Sequence, residues 1–241
     1  MERKIDETFK GCAVMSNNPM LTIAKDFERI PEELLKRFEG LPLGWICDSN
    51  GRKGALGGGI QPICNNKPFV GTAFTVSCAA ADNLGLHVAL KYAQAGDVLV
   101  VKGEEFGDCA VTGDLMMGMA QNNGVRALIT DTHLRDRDGL EEFEIAFFAR
   151  GLNPNGPYKN GPGKIGLPIS IGGYIIESGD LIVGDRDNVA VVKRADIETV
   201  LAELEETAKK EAAAEARIAD GQKYMPLADE MLKQLEVKWV E

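Results

Sequence analysis

The sequence predicts an α/β fold built on a mixed sheet and closed by a long C-terminal helix. Strand-like and helix-like segments alternate between residues 70 and 149, the pattern of crossovers between parallel strands. Residues 169–192 then read as a meander of short strands. Gly172-Gly173, Ser178-Gly179-Asp180 and Asp185-Arg186-Asp187-Asn188 supply its turns, which calls for antiparallel pairing. From residue 195 to about 220, a stripe of Ile197, Val200, Leu201, Leu204 and Ala208 recurs at helical spacing opposite glutamates and lysines.

Residues 1–29 show little pattern and are expected to form an arm wrapping the domain or a partner subunit. A helix is predicted from Pro31, a residue suited to the first helical position. Glu32 and Glu33 fall in its first turn, Leu34, Leu35 and Phe38 form its apolar face, and Gly40 and Pro42 stop it. The glycine-rich stretch 51–59, GRKGALGGG, is read as a loop rather than a phosphate cradle. No apolar strand leads into it, and the G-x-G-x-x-G and G-x-x-x-x-G-K-[ST] spacings are absent.

Residues 70–78, VGTAFTVSC, alternate and are rich in β-branched residues, which predicts a strand. Asp82-Asn83 is expected to cap a helix over 84–95 with Leu84, Val88 and Tyr92 on one face, and Gly96-Asp97 to turn into a buried strand over 98–101. An apolar run at 145–149 follows the central stretch. Residues 151–168 carry five glycines and four prolines in eighteen residues, which excludes a regular element and suggests a lid or subunit contact. Lys159 and Lys164 within it are read as solvated. The resulting plan is an arm and helix over 1–45, a core over 46–193, and a helix and tail over 194–241 that contact another subunit.

The totals fit a soluble globular protein: 241 residues, 44% hydrophobic and 27% charged. A net charge of −10 argues against a nucleic-acid surface, which needs a basic face. The five cysteines, Cys12, Cys47, Cys64, Cys78 and Cys109, form no C-x-x-C pair, so neither a disulfide framework nor a zinc knuckle is indicated. A charged opening, MERKIDETFKG, and no stretch approaching the roughly 18 apolar residues of a membrane helix lead to the expectation of a cytoplasmic protein without membrane contact.

The chemistry concentrates in residues 107–138, GDCAVTGDLMMGMAQNNGVRALITDTHLRDRD. A helix from Leu115 to Asn123 and a buried strand from Val125 to Thr130 separate two polar turns, Gly113-Asp114-Leu115-Met116 and Leu134-Arg135-Asp136. One turn opens the helix and the other follows the strand, so the two are expected to meet where α/β sheets collect anionic ligands. An isolated Arg-Asp pair in a turn is usually a solvated or structural ion pair. Asp114 alone also reads as an N-terminal helix carboxylate facing the dipole. His133, with no second histidine nearby, reads as structural or exposed, His87 as an ordinary helix residue, and Met116, Met117 and Met119 as helix packing. Cys109 has no base partner and is not read as a nucleophile.

Several pieces taken together resemble the RraA-like family. They are Gly71-Thr72-Ala73-Phe74-Thr75-Val76, Asp82-Asn83, Ala95-Gly96-Asp97-Val98-Leu99-Val100-Val101, Gly113-Asp114-Leu115-Met116, Leu134-Arg135-Asp136 and Gly179-Asp180-Leu181-Ile182-Val183-Gly184-Asp185. Within the family they resemble the class II pyruvate aldolases acting on 4-hydroxy-4-methyl-2-oxoglutarate and 4-carboxy-4-hydroxy-2-oxoadipate. The family's mark of aldolase competence is an Asp, twenty intervening residues and Arg-Asp, which Asp114, Arg135 and Asp136 match. The run Asp131-Thr132-His133-Leu134 departs from the family, which often has Gly there.

The resemblance implies a swivelling β/β/α domain in a homotrimer or homohexamer with sites between subunits. It implies a 2-oxo acid substrate and Mg²⁺ or Mn²⁺ held by Asp136, with Arg135 on the pyruvyl oxygens and the backbone of Gly113, Asp114, Leu115 and Met116 on the carboxylate. An acidic residue from a neighbouring subunit's C-terminal helix, Glu211 or else Glu215, would approach the metal. The implied activity is a carbon–carbon lyase giving pyruvate, with Asp114 and Arg135 catalytic and oxaloacetate decarboxylation open to the same site. The family also contains non-catalytic regulators, its namesake inhibiting a ribonuclease, so a protein-binding role is the alternative.

Overall fold

A computed structural model describes residues 19–57, 59–64 and 67–240. The arm as far as Asn18, Cys12 within it, and Gly58 of the glycine-rich loop lie outside the described residues. Phe69–Cys78 forms a strand of ten residues, all buried but Ser77. Both its faces are covered: Phe74, Val76 and Cys78 pack with the helices, and Phe69 and Ala73 with a ribbon on the other side. Along one edge, residues 72–77 pair in parallel with Asp97–Lys102. The other edge is shared: residues 69–72 pair antiparallel with Leu181–Gly184, and residues 76–78 pair antiparallel with Gly163–Ile165.

Four strands run parallel in the order Phe69–Cys78, Asp97–Lys102, Ala127–Thr130 and Ala146–Ala149. The connections between them carry the helices Leu84–Ala89, Asp114–Asn122 and Arg137–Glu141. Side chains on a strand point alternately to opposite faces, and the core divides accordingly. Leu99, Val101, Leu128 and Phe147 pack with Leu86, Met117, Ala120 and Leu140 of the helices. Val98, Val100, Ile129 and Phe148 pack instead with Ile169, Ile171 and Ile176, which belong to the two-stranded ribbon Ile169–Ile171 and Tyr174–Ile176. The layers are ribbon, sheet and helices, the β/β/α arrangement expected from the sequence.

The helix Ile197–Ala219 buries Ile197, Val200, Leu201 and Leu204, as its stripe predicts. They pack against Leu181, Val183, Ala190 and Val192 in a third cluster with the first helices of the chain. From Glu215 to Val240 every residue but Gln222 and Val237 is exposed.

Local pattern misjudges several elements. The predicted arm contributes the strand Leu21–Ile23, paired in parallel with Gly163–Ile165. It also contributes Arg29, which donates to both carboxylate oxygens of fully buried Asp97 at 2.7 and 2.9 Å. Gly40 and Pro42 do end a short first helix, Glu32–Leu35 with a 3-10 turn to Phe38, but Pro42 also caps a helix at Leu43–Ser49 that the sequence reading lacks. The strand Gln61–Cys64, also unforeseen, pairs antiparallel with Ala146–Ala149.

The helix predicted over 84–95 ends at Ala89 and buries Gly85, Leu86 and Ala89 rather than the 84-88-92 face. A Cβ on Gly85 would stand 3.0 Å from the Ser77 carbonyl oxygen, and this approach turns the helix about its axis. Asp97, whose Oδ2 accepts the Gln94 N–H at 2.8 Å, holds the following residues as a turn.

Core and surface positions should separate cleanly. Leu128→Ala is expected to cost about 2–5 kcal/mol in equilibrium urea denaturation. Ile218→Ala, on the exposed half of the long helix, should cost less than about 0.5 kcal/mol.

Candidate functional site

The buried strand Ala127–Thr130 ends at Asp131, and the chain then enters the two-residue strand His133–Leu134. This pairs in parallel with Ala110–Thr112 on one side and Gly151–Leu152 on the other. The Arg135 N–H donates to the Thr112 carbonyl at 3.1 Å, so the small sheet sets where the Arg-Asp pair begins.

Asp136 has φ 62° and ψ 47°, left-handed values that a residue with a side chain rarely adopts. It caps the helix Arg137–Glu141, its carbonyl accepting the Leu140 N–H at 3.0 Å. This backbone turns its carboxylate onto the other polar turn. A Cβ on Gly113 would stand 2.1 Å from Asp136 Oδ2 and 2.9 Å from Arg135 Cγ, so any other residue there forces these two side chains to move. The converse contact is also made. Asp114 opens the helix Asp114–Asn122, and a Cβ on Gly139 would stand 2.7 Å from Asp114 Oδ2. Each acid lies against a glycine of the opposite turn, and this brings Asp114, Arg135 and Asp136 together as the sequence predicted. Asp114 Oδ1 also accepts the Leu115 N–H at 2.6 Å.

Arg135 Nε lies 3.3 Å from Asp136 Oδ2, each side chain 39% exposed. The two are not aligned for a hydrogen bond, and Nε has no hydrogen-bond partner among the described residues. So exposed a pair contributes about 0–1 kcal/mol of stability, and the guanidinium retains donors for a ligand. Gly156 lies beside its far edge, where a Cβ would stand 2.7 Å from Nη1.

The glycine- and proline-rich segment that places Gly156 begins and ends in strands, Gly151–Leu152 and Gly163–Ile165, contrary to the expectation of no regular element. It is also fastened along its length. Asn153 Nδ2 donates to the Gly107 carbonyl at 2.9 Å, Asn155 Nδ2 to the Asp108 carbonyl at 3.0 Å, and the Ala110 N–H to the Asn155 carbonyl at 2.9 Å. Further on, the Tyr158 N–H donates to the Ala81 carbonyl at 2.8 Å. It is a strap across the site.

Other predicted positions fall into place. His133 is wedged between Gly107 and Gly151, and its buried Nδ1 has no partner among the described residues. Lys159 and Lys164 are exposed, and Lys159 adds to the effect of burial in holding His87 below its ordinary pKa. Burial, with Asp108 second, pushes the Cys109 thiol up, the opposite of an activated nucleophile. Burial likewise raises Asp131, against the pull of N–H donors from Gly103 and Glu105.

Met116 and Met117 are buried, but Met119 is 52% and Leu115 80% exposed, which corrects the reading of Met119 as packing. Glu211 is half-buried on the long helix and Glu215 exposed. Among the described residues no group of three or more His, Cys, Asp or Glu side chains is placed to hold a metal. Asp136, 39% exposed, offers an open carboxylate over the Gly113 cradle. A cleft of about 730 Å³ also opens near Phe38, Phe69 and Arg126. It lies at the N-terminal end of the Ala127–Thr130 strand, away from these residues, and shares none of them. Sequence reading missed Gly139 and Gly156 as neighbours of these side chains, and missed the helix Arg137–Glu141 that carries Gly139.

Gly113→Ala is expected to cost about 1–3 kcal/mol of stability through overpacking. Combining it with Asp136→Ala should return about half of that cost, because the colliding carboxylate is gone. Urea denaturation of the two single variants, the double variant and the wild type measures the coupling.

The RraA-like family, described as Aldolase/RraA, matches over residues 45–191. A protein of Halalkalibacterium halodurans named "Putative 4-hydroxy-4-methyl-2-oxoglutarate aldolase" is 36% identical over 187 residues, covering 77% of this chain and 87% of that one. Among solved structures, an uncharacterized protein from Pseudomonas syringae superposes with a TM-score of 0.72 at 25% identity, over 82% of this chain and 97% of that one. A Streptomyces coelicolor protein, described as an unusual member of the RNase ES inhibitor RraA family, gives a TM-score of 0.69 at 21% identity, over 78% and 100%. At that identity the likeness concerns the fold.

Proposed function

The chain belongs to the RraA-like family, and from that premise we propose that it is a divalent-metal-dependent carbon–carbon lyase releasing pyruvate from 4-hydroxy-2-oxo acids of the 4-hydroxy-4-methyl-2-oxoglutarate type. The observation that carries the reading is the reciprocal packing of Asp136 on Gly113 and Asp114 on Gly139. It gathers one basic and two acidic side chains at a helix N-terminus. The name of the 36% identical relative agrees with this substrate class.

One open carboxylate, with hard oxygen donors and no thiolate or imidazole in the cluster, fits Mg²⁺ or Mn²⁺ whose shell is completed by water and substrate. Asp136 would hold the ion, with Glu211 of a neighbouring copy as a second candidate. When bound, such an ion stabilises negative charge developing on the substrate's 2-oxo oxygen. Exposed Leu115 and Met119 beside Asp114 give the site an apolar rim that suits covering by another copy, in line with a homotrimer or homohexamer.

The chain's own groups do the rest. Arg135 presents a permanently charged planar donor to the pyruvyl oxygens, strongest where charge builds up in the transition state. The Leu115 N–H of the first turn is taken by Asp114 Oδ1, and the N–H groups of Asp114 and Met116, which a helix start leaves without intrahelical partners, bind the substrate carboxylate. Asp114 orients a water that takes the 4-hydroxyl proton as the C3–C4 bond breaks. The electron pair of that bond becomes the enolate of pyruvate, and the water returns a proton to C3. Loss of CO₂ from oxaloacetate yields the same enolate, so decarboxylation is expected at the same site.

The competing reading is a protein-binding regulator, suggested by the likeness to the Streptomyces RraA-family protein. Pyruvate release from 4-hydroxy-4-methyl-2-oxoglutarate and oxaloacetate separates the two. The lyase should need Mg²⁺ or Mn²⁺, stop with EDTA, and lose about 10²–10³-fold in kcat/KM in both Arg135→Ala and Asp136→Ala. No release above the metal-only background from either acid would rule out these substrates and favour the regulator.

A further inference from the structure

Asp82 is 5% exposed and lies on a different element from the proposed catalytic groups. Its Oδ1 accepts the Leu84 N–H at 2.8 Å at the start of a helix. Its Oδ2 accepts the N–H groups of Asn160 at 2.5 Å and Gly161 at 3.0 Å, at the far end of the strap. Asp82 and Tyr158 also form an isolated bridge, and the Asn83 N–H donates to the Tyr158 carbonyl at 3.0 Å. A helix cap needs only one of these bonds. Those to Asn160 and Gly161 tie the strap to the helix start, and each is an anionic acceptor paired with a backbone donor, the stronger kind of hydrogen bond. Four residues before Asn160, the strap lays Gly156 against Arg135 Nη1.

We propose that Asp82 is a positioning residue: it clamps the strap, and the strap, through Gly156, fixes the Arg135 guanidinium for a 2-oxo acid. The proposal deepens the lyase reading and rests on it for its substrate. With Nε buried and Gly156 beside Nη1, the guanidinium meets the ligand with its two terminal nitrogens. The strap thereby limits how substrate oxygens approach.

Hydrogen exchange followed by mass spectrometry reads the clamp without any turnover. Residues 153–161 should exchange slowly in the wild type and at least about tenfold faster in Asp82→Ala, with Asp82→Asn, which keeps one acceptor oxygen, in between. Steady-state kinetics read the effect on Arg135. Asp82→Ala and Gly156→Ala should each lower kcat/KM about 10–100-fold, mainly through kcat because Arg135 binds most strongly in the transition state, with Asp82→Asn recovering most of the loss. Unchanged exchange of residues 153–161 in Asp82→Ala overturns the clamp. A freed strap with KM and kcat unchanged, or a Gly156→Ala variant with wild-type kinetics, overturns the positioning role. A wild type that releases no pyruvate counts against the lyase reading, while the exchange measurement still decides the clamp.

Discussion

Backbone hydrogen bonding along the buried strand Phe69–Cys78 is the constraint from which the rest of this structure follows. A strand covered on both faces has no water for its N–H and C=O groups, so both edges must be paired. One edge takes a parallel neighbour along most of its length. The other is divided between Leu181–Gly184 and Gly163–Ile165, which arrive from distant parts of the chain. The division brings the end of the strap to the sheet and holds the meander that supports the long helix. It also leaves the parallel strands running toward one end of the molecule, where the polar turns collect.

At that end the deciding factor is space rather than charge. Two carboxylates and a guanidinium lie close together because two glycines, Gly113 and Gly139, leave the room that two Cβ atoms would fill. Left-handed backbone at Asp136 aims its carboxylate into one of these gaps. Strained backbone of this kind persists only where its surroundings over-determine it. Here the small sheet before Asp136 and the helix after it do so. The Arg135–Asp136 pair is exposed enough that its ionic attraction adds little to stability.

The strap is a segment that its sequence marks as irregular, yet the fold fastens it beside Arg135. Its asparagines and the buried Asp82 supply the hydrogen bonds that a segment rich in glycine and proline cannot make with itself. Proline removes donors and glycine adds unfolded-state entropy, so such a segment holds one conformation only where the surroundings bind it at several points. Fastened in this way it brings Gly156 beside one edge of Arg135.

The sequence by itself determined the elements whose period repeats, namely the parallel strands, the helix after Gly113 and the stripe from Ile197 to Leu204. It also determined the spacing of Asp114, Arg135 and Asp136, because a helix and a strand of fixed lengths separate the two turns. Pattern gave the mixed sheet and the long helix, and the family resemblance the β/β/α layering. Tertiary structure alone decided that the helix after Asp82 stops at Ala89 and turns a different face inward, and that residues 21–23 and 61–64 are strands. It alone gave Gly139, Gly156 and Asp82 their places around the site. Periodicity records how a segment repeats along itself. The approach of a glycine to a carboxylate from another turn, or of an edge strand to its partner, depends on residues far away in the chain and leaves no local period to read.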